Sequence, residues 1–414
     1  MRGYAIVRAA MTCAVMGLVL LMMAVVASAQ DVGGEVGGGA GIFRAKNPET
    51  KKTKTLGPAT STKPSNRPAS TRPKGPSVAE KIEDLLDKGN TARDARNFTE
   101  AEQAYQDVFK LKPRDARAAY GLGNIYSDQQ RWDDAEAAYR NAVTWAPTNA
   151  DAHVALSVVL VQPRAGGENA KRFADAETFA RRSVQLDPKN TVGWDRLGVA
   201  LQARNILNSE TEHSYRRAIE LDPQSAVAYA HLARLLNMMR KPDEAGPLYD
   251  KATELAKDPA TLNLIADSLQ AEQLWQASEP VLKRALDLDG KNPVSLMLMG
   301  RLLIVTQRYQ EAEPYLKTAT EVNSRSFQTL NLLGRAYLAM NRLSDAEMTY
   351  ERASSLASAG ERKQLAGIYG FEGVGDAYLK AHKKPEAARV FQRALELDPG
   401  NATLTSKLAK ARAN

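Results

Sequence analysis

Histidine is the usual place to look for chemistry, and the four here, His153, His213, His231 and His382, stand far apart with no metal-ligand spacing. No Ser, His and Asp fall in the order of a catalytic triad, and no Gly-x-Ser-x-Gly elbow stands out. The glycines Gly33, Gly34, Gly37, Gly38, Gly39 and Gly41 form a run, but no Gly-Lys-Ser/Thr ending follows, nor the strand and helix that a phosphate loop needs. The many carboxylates fall on helix exteriors, where pairing with Lys and Arg is the ordinary role. The reading is therefore of a protein that is not an enzyme, with no catalytic, cofactor-binding or metal-ligating residue. The chemistry left is non-covalent. Asn can pair with both N–H and C=O of an extended peptide, and Arg can grip a carboxylate in a fork.

The elements that would position such groups repeat at a spacing of about 34 residues. A small residue anchors each copy: Gly89, Gly123, Ser157, Gly198, Ala233, Ala266, Gly300, Gly334 and Gly375. A second small residue follows at Ala101, Ala135, Ala176, Thr211, Ala245, Ser278, Ala312, Ala346 and Ala387. A third comes seven positions later, from Val108 and Ala142 to Ala353 and Ala394. A large residue, Tyr105, Tyr139, Tyr215, Tyr249, Leu282, Leu316, Tyr350 or Phe391, sits four after the second, except in copy three, which has Ala180. Self-similarity at this period predicts stacked helix pairs, each burying its apolar face on its neighbours. Pro113, Pro147, Pro188, Pro223 and Pro399 mark where the second helix of a copy stops. Copy three carries an insertion over residues 162–169, and seven further residues around Ser358 to Glu361 predict a longer helix or a wider corner before copy nine.

Leu122, Gly123, Tyr126, Ala135, Tyr139, Ala142 and Pro147 together resemble the tetratricopeptide repeat, and Gly375, Tyr378, Ala387, Phe391, Ala394 and Pro399 do so again. The resemblance covers about residues 79–401 and implies an all-α fold, a right-handed α-solenoid of helix-turn-helix repeats. Residues 402–414, with Leu404 and Leu408, read as a C-terminal capping helix. The resemblance also implies that the first helix of each copy lines a concave face. The positions three before, one after and four after the anchor then give a candidate peptide-binding groove. It comprises Asn90, Tyr120, Asn124, Arg234, Asn237, Asn263, Arg301, Asn331 and Arg335, with an apolar patch at Val154, Val158 and Val161. Leu86 stands where chaperone-cofactor repeats carry a Lys, so a clamp for a C-terminal carboxylate is not supported.

The N-terminus has a different composition. Arg2 and Arg8, an apolar run over residues 9–26 and Ala27-Ser28-Ala29 make a signal peptide, residues 1–29. The run is also long enough for an uncleaved membrane anchor. Cys13, the only cysteine, lies within it, so the mature chain uses no disulfides. Residues 30–78 are rich in Gly, Pro and Lys and are expected to be a disordered basic linker. That linker and the leader account for the whole net charge of +8, leaving the repeats neutral. The balance argues against nucleic acid and leaves the tail as a solvated linker or a contact for anionic envelope polymers.

These features predict an exported protein, periplasmic or secreted. It is expected to be a scaffold or assembly factor whose partners are other proteins or peptides, with membrane contact only if the leader is retained. The alternative is the non-catalytic recognition subunit of a glycosyl- or peptidoglycan-modifying complex. N-terminal sequencing of the native protein should begin at Gln30. A chain that still carries its leader would instead be a tethered one.

Overall fold

The computed structural model describes residues 44–50, 76–162 and 168–413. The leader, the glycine run and most of the insertion in copy three lie outside the described residues. The chain divides into two compact units, Gly33–Arg240 and Lys241–Asn414. Every described element is helical.

The first unit holds four helix pairs and one further helix. The pairs are α1 (Val78–Asp94) with α2 (Phe98–Leu111), α3 (Ala116–Asp128) with α4 (Trp132–Trp145), α5 (Ala150–Leu160) with α6 (Asn169–Leu186), and α7 (Thr191–Ala203) with α8 (Ser209–Leu221). Then comes α9 (Ala226–Met238). The second unit begins with α10 (Pro242–Leu255). It continues with α11 (Pro259–Ala271) and α12 (Trp275–Leu288), α13 (Pro293–Val305) and α14 (Tyr309–Val322), and α15 (Phe327–Ala339) and α16 (Leu343–Ser354). Its last elements are α17 (Ala359–Ala366), the pair α18 (Phe371–Lys380) and α19 (Lys384–Leu397), and α20 (Ala402–Arg412). Within each unit these are stacked antiparallel pairs of an all-α solenoid.

A ring seated on a glycine sets the spacing inside a pair. A Cβ at Gly89 would stand 2.6 Å from the Tyr105 ring, one at Gly123 2.5 Å from Tyr139, and one at Gly375 2.5 Å from Phe391. Gly300 meets Leu316 and Gly334 meets Tyr350 in the same way. The ring of Tyr105 also lies against Gly121 of the next pair, so one residue packs within its pair and between pairs. Copy three departs at both positions, with Ser157 at the anchor and Ala180 at the ring position, both fully buried.

The two ends of most first helices, and the start of α20, are set by recurring devices. Asp115, Asn149, Asn190, Asp258, Asn292, Ser326 and Asn401 each accept a backbone N–H from the first turn of the helix that follows. At the other end the chain turns through a left-handed residue. Arg96, Gln130, Asn205, Arg240, Gln273, Gln307, Asn341 and His382 have φ between 59° and 62°. The following N–H then reaches back over the turn, Asn97 N to Ala92 O at 2.8 Å and Arg308 N to Leu303 O at 2.7 Å. None of these residues is glycine, so each turn holds a conformation that costs an L-residue about 1–2 kcal/mol.

Two sequence expectations change here. Residues 358–366 form neither a longer helix nor a plain corner. They make a separate helix, α17, started by a capping box in which Ser358 and Glu361 each accept a hydrogen bond from the other's backbone N–H. Residues 44–50, placed by composition in the disordered linker, pack against the first two pairs, with Ala45 only 5% exposed. At the other end α20 lays Leu404, Leu408 and Ala411 against α19.

Thermal unfolding followed by circular dichroism should separate the two backbone devices. Gly198→Ala pushes a methyl into the Tyr215 ring and should cost about 1–3 kcal/mol. Gln307→Gly relieves a left-handed turn, and because glycine loses more entropy on folding it should be neutral or stabilise by up to about 1 kcal/mol.

Candidate peptide-binding groove

The ring that spaces each of the first two pairs also aims an amide. The Tyr105 hydroxyl donates to Asn90 Oδ1 at 2.7 Å, and the Tyr139 hydroxyl donates to Asn124 Oδ1 at 2.9 Å. Burial raises the pKa of both phenols, so they stay protonated donors. With its oxygen held, each amide has only its N–H2 to offer outward.

Both N–H2 groups meet a peptide. Asn90 Nδ2 donates to the carbonyl of Pro48 at 3.0 Å, and Asn124 Nδ2 donates to the carbonyl of Lys46 at 2.8 Å. Arg93, one turn along α1 from Asn90, donates from Nη1 to the carbonyl of Ala45 at 2.7 Å and to Asn47 Oδ1 at 2.9 Å. Arg117, at the start of α3, donates to the carbonyl of Glu49 at 3.3 Å. Both helices therefore read the segment from its later residues to its earlier ones, so it runs antiparallel to α1 and α3.

Arg93 is 1% exposed, and a buried charge must be paired. Its Nε and Nη2 reach the two oxygens of Asp128 at 2.7 and 3.0 Å. Burial works against the charged guanidinium, but Asp128 outweighs it and the pKa is raised. The fork that faces Asp128 leaves Nη1 to serve the peptide. Arg93 and Arg117 are not among the residues that the sequence singles out. Arg93 does sit four after its anchor, one of the positions expected to face the groove.

The other candidate residues are placed differently. Tyr120 is buried with its ring 5.8 Å from that of Tyr139. Asn263 is 3% exposed and is engaged within the fold, donating to Asn292 Oδ1 at 3.1 Å and accepting from Ser295 at 2.8 Å. Arg301 is held by Asp267 at 2.7 Å and Gln270 at 2.6 Å. Asn331 is buried in α15, and Arg234 and Asn237 lie half-buried on α9. The apolar patch at Val154, Val158 and Val161 is not exposed, and Trp132 packs against the first two valines. Groove positions thus carry buried packing residues wherever a neighbouring helix comes close. His231 and Asp195 form a buried contact at 2.8 Å that joins α9 to α7. Burial would raise the Asp195 carboxyl, but His231 and Arg196 beside it bring it below the ordinary value.

Arg335 belongs to a second recess, within the unit Lys241–Asn414. A groove of about 1060 Å³ is lined by Trp275, Tyr309, Arg335, Leu338, Ile368, Tyr369 and Lys380 among others. The Arg335 guanidinium lies 4.9 Å from the centre of the Tyr369 ring. The residues after α17 supply Ile368 and Tyr369, so the extra helix shapes this recess. Among the described residues, no group of His, Cys, Asp and Glu could hold a metal ion.

A tetratricopeptide repeat family model matches residues 86–152, 127–191 and 297–360, and a second such model matches residues 214–246. No curated protein matches the sequence. Similar solved structures include that of the MamA protein, at 22% identity over 42% of this chain and 92% of that one, with a TM-score of 0.36. The Cut9–Hcn1 heterotetramer of the APC/C is 16% identical over 81% of this chain and 63% of that one, with a TM-score of 0.47. YrrB, described as a TPR protein with an unusual peptide-binding site, is 19% identical over 48% of this chain and 99% of that one, with a TM-score of 0.38.

Asn124→Ala removes a donor to Lys46 and one acceptor of the buried Tyr139 hydroxyl, a loss of about 1–3 kcal/mol. Limited trypsin digestion should then cut after Lys46 several-fold faster than in the unaltered chain. Equal rates would mean that the amide does not hold the segment.

Proposed function

The chain belongs to the tetratricopeptide repeat proteins, and from that premise we propose that it is a protein-interaction scaffold or assembly factor that holds extended segments of partner proteins in its grooves. One observation carries this reading. Between α1 and α3 the side chains of Asn90, Arg93, Arg117 and Asn124 converge on the main-chain carbonyls of a non-helical segment. Carbonyl recognition of this kind tolerates many sequences, while pockets beside it choose among them. The recess around Arg335 and Tyr369 adds a second surface, apolar with a cation at its edge, suited to an aromatic or apolar side chain.

The proposed setting is the bacterial cell envelope. The support is the leader pattern of Arg2, Arg8, the apolar run and Ala27-Ser28-Ala29. A chain exported there without disulfides would depend on the packed helix pairs alone for its stability.

Affinity capture from envelope extract, read by mass spectrometry, tests the proposal. Three baits are compared: the unaltered chain, Asn90→Ala with Asn124→Ala, and Arg335→Ala with Ile368→Asp. The expected result is a defined protein held by the first bait and reduced at least about tenfold with one of the altered baits, a loss of about 1.4 kcal/mol. Retention of the same proteins by all three baits would move binding off the grooves and overturn the reading.

A further inference from the structure

The groove of the first two helix pairs is filled by the chain's own residues 44–49. Their carbonyls at Ala45, Lys46, Pro48 and Glu49 are all taken by groove side chains. The side chains around them are also sorted. Ala45 and Pro48 are buried. Asn47 bridges Arg93 and Asp94, each at 2.9 Å. Arg44 reaches Asp94 at 3.0 Å and Asp128 at 3.8 Å. This is the pattern of a bound peptide, with the main chain gripped and a few side chains selected.

It is not the pattern of a core element. Its apolar burial is confined to Ala45 and Pro48, and the ion pair of Arg44 with Asp94 is more than half exposed, which makes it weak. The bonds that orient the groove side chains are made by the helix pairs themselves. Arg93 makes both bonds to Asp128, and Asn90 and Asn124 bond their tyrosines.

We propose that residues 44–49 are a built-in competitor for this groove, and that a partner peptide binds by displacing them. The proposal rests on the reading of the groove as a peptide site and names the ligand class. That ligand is an extended segment with a basic residue, a small residue next to it, and Asn-Pro two places further on. Tethering gives the internal segment an effective concentration on the order of millimolar. If its intrinsic dissociation constant is about 100 μM, it weakens a partner's apparent affinity roughly tenfold. The groove then answers only to partners of sufficient affinity or local concentration.

The test needs no natural partner, so it can succeed where capture from extract fails. The probe is a fluorescein-labelled peptide with the sequence of residues 44–50, and binding is read by fluorescence anisotropy. Ala45→Asp in the full chain expels the internal segment by placing a carboxylate in the alanine site. This variant should bind the probe about tenfold more tightly than the unaltered chain, the release expected when a millimolar competitor is removed. Arg44→Ala, a milder change at an exposed position, should give an intermediate gain. Adding Asn124→Ala to Ala45→Asp should abolish binding. Circular dichroism confirms that each variant is folded. Equal probe affinity in the unaltered and Ala45→Asp chains, or no binding by either, overturns the proposal. Light scattering supplies a further outcome: a dimer that the probe dissociates would place the segment in the groove of a second copy and overturn competition within one chain.

Discussion

The contact on which the rest depends is an aromatic ring, or a leucine, pressed on the glycine of the partner helix. Where Gly89 faces Tyr105 and Gly123 faces Tyr139, the backbones approach as closely as a missing Cβ allows. The ring fills that gap and so fixes how the two helices of a pair lie. The same ring carries a hydroxyl, and in the first two pairs the hydroxyl lands on the oxygen of an asparagine one residue beyond the glycine. Packing and recognition are therefore coupled through one side chain. A change at the glycine displaces the ring, and displacing the ring frees the amide that faces the groove.

The turns show that the same architecture is held by backbone bonding rather than by residue type. Eight left-handed positions carry Arg, Gln, Asn or His and no glycine. What recurs is the pair of hydrogen bonds that closes seven of these eight turns, together with the Asp, Asn or Ser that opens most of the next first helices. The cost of a positive φ is small against the apolar burial of a whole pair, so a turn can keep a polar side chain at its corner.

Much of the fold was legible because its signals are periodic. A glycine, an alanine and a ring that recur at the same offsets give the helix pairs directly, and the exception in copy three, Ser157 with Ala180, is visible in the letters. The site was less legible because burial depends on the neighbouring helix, which no single offset records. Asn124 and Asn263 both occupy positions expected to face the groove, yet the first serves a peptide and the second bonds Ser295 and Asn292. Arg301 occupies a candidate groove position in sequence and is held by Asp267. Residues 44–49 were hidden for a different reason. Apolar content predicts order from burial, whereas this segment is ordered by its carbonyls, and every sequence has those.

Arg93 gives the occupied groove a thermodynamic meaning. It is a cation sealed at 1% exposure in the first helix of the first pair, under the lid made by Ala45 and Asn47. End repeats are the ones that fray first, because they have a neighbour on one side only. The segment adds hydrogen bonds to α1 at Asn90 and Arg93. Occupancy of the groove and folding of the end repeat are then linked quantities, and each must rise when the other does. Exchange of one peptide for another leaves that balance untouched, whereas emptying the groove would loosen the repeat that forms it.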